Sequence, residues 1–147
     1  MAAVSLATVS SAAAPLQGPG ECTHPEAAPE QVVRKLLDAG NRSDLETWLC
    51  LFHPDARQFR RSEDPHRLAD RPSATVTDAA SRRRVYEEIF SRPDKTRAEI
   101  LGMLSLGELV VSRGVFHAPT GPIQTLTIYR VHDGRILDIW DVEQQRD

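Results

Sequence analysis

An Asp-Gly pair between two runs of alternating hydrophobicity is the feature that most constrains the fold of this chain. Residues 123–131 and 135–142 alternate apolar and polar side chains, and Asp133-Gly134 separates them. Both residue types tolerate the positive φ angles of a two-residue hairpin turn. The segment is therefore predicted to be a β-hairpin, and alternation gives each strand two chemically distinct faces.

The remaining segments of regular structure can be read from periodicity and turn residues. Two further β-rich runs precede the hairpin and complete a predicted meander of four strands, over 98–106, 108–118, 123–131 and 135–142. A shorter strand is expected over 56–61 with Phe59 inward, followed by a polar loop over 62–76. Helices before adjacent antiparallel strands predict an α+β fold, with helices packed on one face of a curved sheet.

Three helices are predicted before the meander. Pro29 fits the first helical position and Gly40 the C-terminal cap of helix 1, over about 29–39. Ser43 and Glu46 form the pattern of a capping box for helix 2, which the following His-Pro pair ends. Its apolar face has helical spacing: Leu45, Trp48, Leu49 and Phe52.

Helix 3 is expected to begin near Thr77 or Asp78 and to end before Pro93. Four of its residues are predicted to face inward: Val85, Tyr86, Ile89 and Phe90. The basic run Arg82-Arg83-Arg84 is predicted to lie on its solvated face.

Composition limits the classes of protein to consider. The chain has 147 residues, enough for one hydrophobic core, and its 18 basic and 21 acidic residues give a net charge of −3. This balance argues against a nucleic-acid partner. No apolar run reaches the roughly 18 residues of a membrane helix. The motifs of zinc sites, phosphate loops and serine hydrolases are missing from the sequence, so neither a metal nor a cofactor is expected.

The first residues differ in composition from the rest, so we divide the chain into a leader, 1–27, and a domain, 28–147. Residues 1–14 carry no charge and end on small residues, as a signal peptide does, but no basic residue precedes them. They are either the remnant of a signal peptide, for a periplasmic or secreted protein, or a linker of a cytoplasmic one. Export would permit a Cys22–Cys50 disulfide; in a cytosol Cys50 is a small buried residue, which is the interpretation preferred here.

The order of elements and the final hairpin, Asp133-Gly134-Arg135-Ile136-Leu137-Asp138-Ile139-Trp140-Asp141-Val142, resemble the nuclear transport factor 2-like superfamily. Within it, the hairpin and the Phe52–Ala56 junction are similar to the SnoaL-like branch of polyketide cyclases and ketosteroid isomerase-like proteins, over about 30–143. The resemblance implies a cone-shaped α+β barrel whose curved antiparallel sheet wraps around three N-terminal helices. It also implies an acid/base Asp in a His-Trp-Asp motif, at the position of Asp141, whereas Ile139 replaces the motif's His.

Regular pairing across the turn would place Val131 opposite Ile136 and Leu126 opposite Asp141. The resemblance then implies that one face of the hairpin lines a pocket, comprising Gln124, Leu126, Ile128, Arg130, Leu137, Ile139 and Asp141. The other face would be available for a homodimer contact through Thr127, Tyr129 and Trp140. Arg130 would lie roughly 13 Å along the strands from Asp141, too far for a direct salt bridge.

Candidate site residues follow from this arrangement. Asp141 would transfer protons, although a solvated Asp near a strand end is the simpler alternative. His117, near the end of a strand, could replace the missing motif His or could be partly exposed. The substrate would contact Arg130, Leu126, Ile128 and Ile139 of the hairpin, and three aromatic side chains that could equally be core: Trp48, Tyr86 and Phe90.

Two functions remain open from the sequence. The first is a cofactor-independent isomerase, cyclase or dehydratase acting on a small apolar or carbonyl-containing molecule, with Asp141 as acid/base. His117 and Arg130 would stabilise developing enolate charge. The second is a ligand-binding or accessory domain without catalysis, which the loss of the motif His at Ile139 favours.

Overall fold

A computed structural model describes residues 22–59 and 74–143, which form three helices and six strands. In chain order these are α1 (Pro29–Arg42), α2 (Leu45–Cys50), β1 (Phe52–Phe59), β2 (Ala74–Val76), α3 (Ala79–Ser91), β3 (Arg97–Leu106), β4 (Leu109–Ala118), β5 (Gly121–His132) and β6 (Arg135–Glu143). The signal-like stretch at 1–14, the end of the predicted strand at 60–61 and most of the predicted loop lie outside the described residues. None of the described helices is long and apolar enough to cross a membrane.

The strands form one sheet in the order β2-β1-β6-β5-β4-β3. The pairs are antiparallel except that β1 runs parallel to β6. The predicted α+β fold with a curved sheet is confirmed. Two details of the prediction are corrected, because the short strand β2 extends the sheet and β1 is not antiparallel to its neighbour β6.

The core lies between α1 and the inner face of the sheet. Val33 and Leu36 of α1 are completely buried, as are Val110 of β4 and Ile136 of β6. Burying an aliphatic side chain contributes roughly 1.5–3 kcal/mol relative to exposing it. The apolar face of α1 therefore forms the main contact between the helices and the sheet.

The boundary between α1 and α2 differs from the prediction. Gly40 lies inside α1, which ends at Arg42, and the C-terminal cap is Ser43, which has a left-handed φ of 54°. A Cβ at position 40 would come within 2.9 Å of the Trp48 ring, so the glycine allows this ring to pack against the helix. Asp44, not Ser43, caps α2 by accepting a hydrogen bond from the Thr47 amide at 3.1 Å.

Two further helix predictions are corrected. The predicted apolar run of helix 2 is interrupted, because α2 ends at Cys50 and Phe52 already belongs to β1. In α3, Arg82 is the buried residue, at 1% exposure, whereas Val85 and Ile89 are about 40% exposed. Arg82 is accommodated because its guanidinium donates to the Ala56 carbonyl and lies 4.6 Å from the centre of the Phe52 ring.

A disulfide joins Cys22 to Cys50, at a Cα–Cα distance of 6.0 Å. The preferred interpretation of Cys50 as an unpaired buried thiol is therefore wrong. The bridge holds the segment before α1 against the domain. In this segment the His24 carbonyl lies so close to Gly134 that a Cβ there would be 1.9 Å from its oxygen. His24 and Pro25 of this segment thus cover Gly134 in the turn of the final hairpin.

Candidate functional site in the sheet cavity

The final hairpin has the predicted turn but not the predicted register. Asp133 and Gly134 have φ angles of 47° and 68°, and Val131 pairs with Ile136 as expected. Leu137 then forms a β-bulge, and Arg130 pairs with Asp138 instead of Leu137. From the bulge onward every pair is shifted by one residue, so that Asp141 lies opposite Thr127 rather than Leu126.

This shift changes which β5 residues share a face with Asp141. The buried β5 residues are Thr125, Thr127, Tyr129 and Val131, on the face that meets Ile139 and Asp141 of β6. Leu126, Ile128 and Arg130 point to the opposite side of the sheet, so their predicted place in the pocket is wrong. Thr127 and Tyr129, predicted for a dimer contact, are buried inside instead. The cause is the single unpaired residue, because strand side chains alternate with a period of two.

An ion-pair cluster on the outer face of the sheet includes Arg130, one of the residues that were predicted to line the pocket. Asp138 is 1% exposed and accepts a hydrogen bond from Arg57 Nε at 2.8 Å. Arg130 donates to Glu108 at 3.2 Å, and its guanidinium lies 4.0 Å from Asp138. Arg130 therefore balances acidic groups outside the cavity and does not face Asp141.

The inner face of the sheet, α1 and α3 enclose a cavity of about 380 Å³. This volume lies within the range of small-molecule sites. Trp48, Tyr86 and Phe90 line it and contact one another, with ring centroids 4.8–5.7 Å apart. Ile139 also lines it. These four predicted substrate-binding residues share one cavity with Asp141, and the binding role itself stays a prediction.

Uncharged polar groups also line this cavity. Gln58 donates from Nε2 to the Tyr86 hydroxyl oxygen at 2.7 Å. The Asn41 side chain donates to the Ala98 carbonyl at 2.9 Å and accepts from the Ala98 amide at 2.7 Å, which ties α1 to β3. Gln58 could not be singled out from the sequence, since an isolated glutamine carries no motif.

Asp141 is the one acidic residue among the described residues that line the cavity, and Arg92 is the one basic residue. Arg92 pairs with Glu88 at 2.5 Å. Asp141 is half-buried and accepts a hydrogen bond from the Thr127 hydroxyl at 2.8 Å. Beside it, burial raises the pKa of Tyr129 well above its usual range, and the negative charge of Asp141 adds to the effect. Tyr129 therefore stays a neutral phenol at physiological pH.

His117 lies outside this arrangement. Its neighbours Phe116 and Ala118 line the cavity, so alternation directs His117 to the outer side. There its Nε2 is 2.7 Å from Glu99 Oε2, and its side chain is 51% exposed. Of the two expectations for His117, a substitute for the motif's His or a partly exposed side chain near a strand end, its position agrees with the second.

The cavity therefore combines a wall of aromatic side chains with one carboxylate, which has hydroxyl groups beside it. Such a group can accept a proton from a bound molecule and return it. Within 22–59 and 74–143, no three His, Cys, Asp or Glu side chains come together in a way that could hold a metal ion.

A curved sheet that forms a cavity together with helices is the architecture of nuclear transport factor 2-like and cystatin-like folds. A sequence model of the SnoaL-like domain matches residues 33–139, and the chain belongs to that family.

Solved structures agree with this assignment. IdmH of Streptomyces antibioticus, a candidate polyketide cyclase, is 28% identical; the match covers 80% of this chain and 93% of IdmH, with a TM-score of 0.61. A candidate ketosteroid isomerase from Kribbella flavida is 15% identical over 81% of this chain and 79% of its own, with a TM-score of 0.65. An LEH-like epoxide hydrolase from M. tuberculosis is 15% identical over 79% and 82%, with a TM-score of 0.62. No protein of curated function matches the sequence significantly.

Proposed function

We propose that this protein is a cofactor-independent enzyme of isomerase, cyclase or dehydratase type, in which Asp141 transfers a proton next to a carbonyl group. The observation that carries the proposal is the position of Asp141. It is the one carboxylate on the described wall of a cavity that is otherwise mainly apolar and aromatic. The likeness to IdmH, at 28% identity, supports the cyclase type of reaction.

The proposed reaction needs a base and a place for the displaced electron pair. The Asp141 carboxylate removes a proton from the carbon beside the substrate carbonyl, and the C–H electrons move onto the carbonyl oxygen as an enolate. The same carboxyl group then returns the proton to carbon, or, in a cyclisation, the enolate carbon attacks a second carbonyl carbon of the same substrate. The electron pair of that C=O bond moves onto its oxygen, which takes the proton from Asp141. Trp48, Tyr86 and Phe90 would hold the apolar part of the substrate.

Neutral hydrogen-bonding groups would stabilise the enolate oxygen in this proposal. His117 and Arg130, considered for this role from the sequence, face the other side of the sheet. The Tyr86 hydroxyl and the Gln58 amide line the cavity and take their place. Donors that need no reorganisation at the moment of reaction are the effective ones, and the bond between these two groups fixes both in place.

Solvent deuterium exchange tests this proposal without knowledge of the natural substrate. A panel of cyclic enolisable ketones is incubated with the protein in D2O, and loss of the α-proton signal is followed by NMR. We expect exchange above background for at least one ketone, and a reduction of about 100-fold or more in Asp141→Asn.

The matched control is Asp133→Asn, which makes the same chemical change in the hairpin turn. Its left-handed φ of 47° also suits asparagine. This variant should exchange at the wild-type rate. Equal rates in wild type and Asp141→Asn would contradict the proposal.

A non-catalytic ligand-binding or accessory domain is the alternative. Ile139 favours it, because this side chain lines the cavity at the position where the resemblance places the motif's His. A ketone that raises the unfolding temperature of both wild type and Asp141→Asn, with no exchange above background, would support binding alone.

We also propose that the protein forms a homodimer through the outer face of the sheet. Four apolar side chains lie directly opposite one another there, Leu104, Val111, Ile128 and Trp140, which we call the outer row. Leu104 is 77% exposed, and the Trp140 ring stacks on Phe59. Contiguous exposed apolar surface of this kind is typical of interfaces.

Sedimentation equilibrium tests this contact. At micromolar concentration we expect a dimer for wild type and for the exposed outer-face control Gln124→Lys, and a monomer for Ile128→Lys. A wild-type monomer would contradict the proposal.

A further inference from the structure

Three polar side chains lie directly opposite one another on the inner face of the sheet. Ser112 of β4 pairs with Thr127 of β5, and Thr127 pairs with Asp141 of β6. Ser112 is 5% exposed and Thr127 is 2% exposed. A buried hydroxyl group costs free energy unless it is hydrogen-bonded, so the almost completely buried Thr127 side chain needs a partner.

Tyr129, which is 3% exposed, lies two residues further along β5 on the same face, near Ser112 and Thr127. The Thr127 hydroxyl donates a hydrogen bond to Asp141 Oδ1 at 2.8 Å. This bond joins a buried hydroxyl to the carboxylate that borders the cavity.

The Thr127 hydroxyl has one proton, and Asp141 accepts it. Because Ser112, Thr127 and Tyr129 are all at most 5% exposed, this bond lies away from bulk water. A hydrogen bond to a charged group is electrostatically stronger in such surroundings than in solvent.

Building on the proposed function, we infer that Thr127 is a positioning residue whose hydroxyl keeps Asp141 ionised and aimed into the cavity. Burial disfavours a charged carboxylate, whereas a donated hydrogen bond stabilises it. Because a general base must be deprotonated before it acts, the hydrogen bond from Thr127 offsets the cost of half-burying Asp141.

Other groups near the cavity also influence the charge on Asp141. Among the described residues that line it, the titratable or charged ones are Tyr129 on β5, Tyr86 on α3 and Arg92 after α3. The residues contributed by α1 and β1 include neutral amides, Asn41 and Gln58. The test must therefore change the Thr127 hydroxyl without changing any charge.

Carboxyl ¹³C NMR of Asp141 in the full chain provides this test and requires no substrate. Thr127→Val removes the hydroxyl and keeps the shape of the side chain, whereas Thr127→Ser keeps the hydroxyl. We expect the midpoint of the Asp141 titration to move upward by about one pH unit in Thr127→Val, the size of one hydrogen bond to a charged group. Thr127→Ser should titrate as wild type.

Thr125→Val is the matched control, because Thr125 lies on the same strand and face, is 7% exposed and pairs with Gly114 instead of Ser112. It should leave the midpoint unchanged. Thr127→Ala also removes the hydroxyl and should move the midpoint in the same direction. This variant keeps the inference testable if Thr127→Val does not fold.

An unchanged midpoint in Thr127→Val, or in Thr127→Ala where only that variant folds, would overturn the inference, and so would an equal change in Thr125→Val. These outcomes are separable from the deuterium-exchange result. If Thr127→Val moves the midpoint while Asp141→Asn exchanges as fast as wild type, the proposed function fails and the role of Thr127 stands.

Discussion

The two ends of the β5–β6 hairpin are built differently, although they belong to the same pair of strands. At the turn, Val131 and Ile136 are at most 3% exposed, and the disulfide-linked segment 22–27 covers Gly134. At the other end, Ile139 and Asp141 border a cavity of about 380 Å³. We call the turn end, where the side chains are packed, the closed end of the hairpin, and the end that borders the cavity the open end. The closed end stabilises the fold and the open end forms part of the candidate site. The bulge at Leu137 lies between them.

Replacing one isoleucine at each end tests this division most strongly. Ile136→Ala should lower the free energy of unfolding by about 4 kcal/mol, since its completely buried side chain would leave a void in the core. Ile139→Ala should cost about 2 kcal/mol, because this side chain already borders empty space. Urea unfolding of both variants measures the difference, and equal losses would break the comparison.

Removing the disulfide should weaken the closed end. The bridge spans 28 residues, and the chain-entropy model gives an upper value of about 3.5 kcal/mol for its contribution. Cys22→Ser/Cys50→Ser should therefore unfold at lower urea concentration than wild type, and wild type under reducing conditions should match the variant. The Asp141 carboxyl titration should be unchanged at the open end; if it moves, the two ends are not independent.

A smaller effect concerns pH at the turn. The pKa of His132 lies above its ordinary 6.5, mainly because His132 Nδ1 is hydrogen-bonded to Glu108 Oε1 at 2.6 Å. A raised histidine pKa stabilises the folded state fully below about pH 6.5, and this stabilisation is lost as the pH rises through the folded-state value. Wild type should thus lose a little stability between pH 6.5 and 8.

His132→Gln, and separately Glu108→Gln, should flatten this part of the pH profile of unfolding. The pair is exposed, so the change is expected to be small. A profile of wild-type steepness in both variants would contradict the assignment.

The sequence allowed prediction of most elements of the fold, because periodicity, caps and the Asp-Gly turn are local signals. It could not predict the bulge, since Leu137 continues the apolar pattern of its strand. Because the bulge was not predicted, Leu126, Ile128 and Arg130 were assigned to the same face of the sheet as Asp141, whereas they lie on the opposite face. Arg82 was placed in solvent for a similar reason, because its partners, the Phe52 ring and the Ala56 carbonyl, come from a distant strand.

Within the candidate site, the residues that carry a family motif or aromatic rings could be singled out, namely Asp141, Trp48, Tyr86 and Phe90. Thr127 and Gln58 could not, because a threonine in a strand and a single glutamine are ordinary there. Their position next to the carboxylate and the tyrosine depends on strand register, which tertiary packing determines.

The register of the hairpin is the most direct test of this account, because every proposal about the cavity depends on Asp141 facing inward opposite Thr127. Cross-strand NOEs in the labelled wild-type protein measure it. We expect NOEs from the Asp141 side chain to Thr127 and to cavity residues such as Tyr129. NOEs from Asp141 to the side chain of Leu126 instead, with Leu137 paired to Arg130, would contradict it.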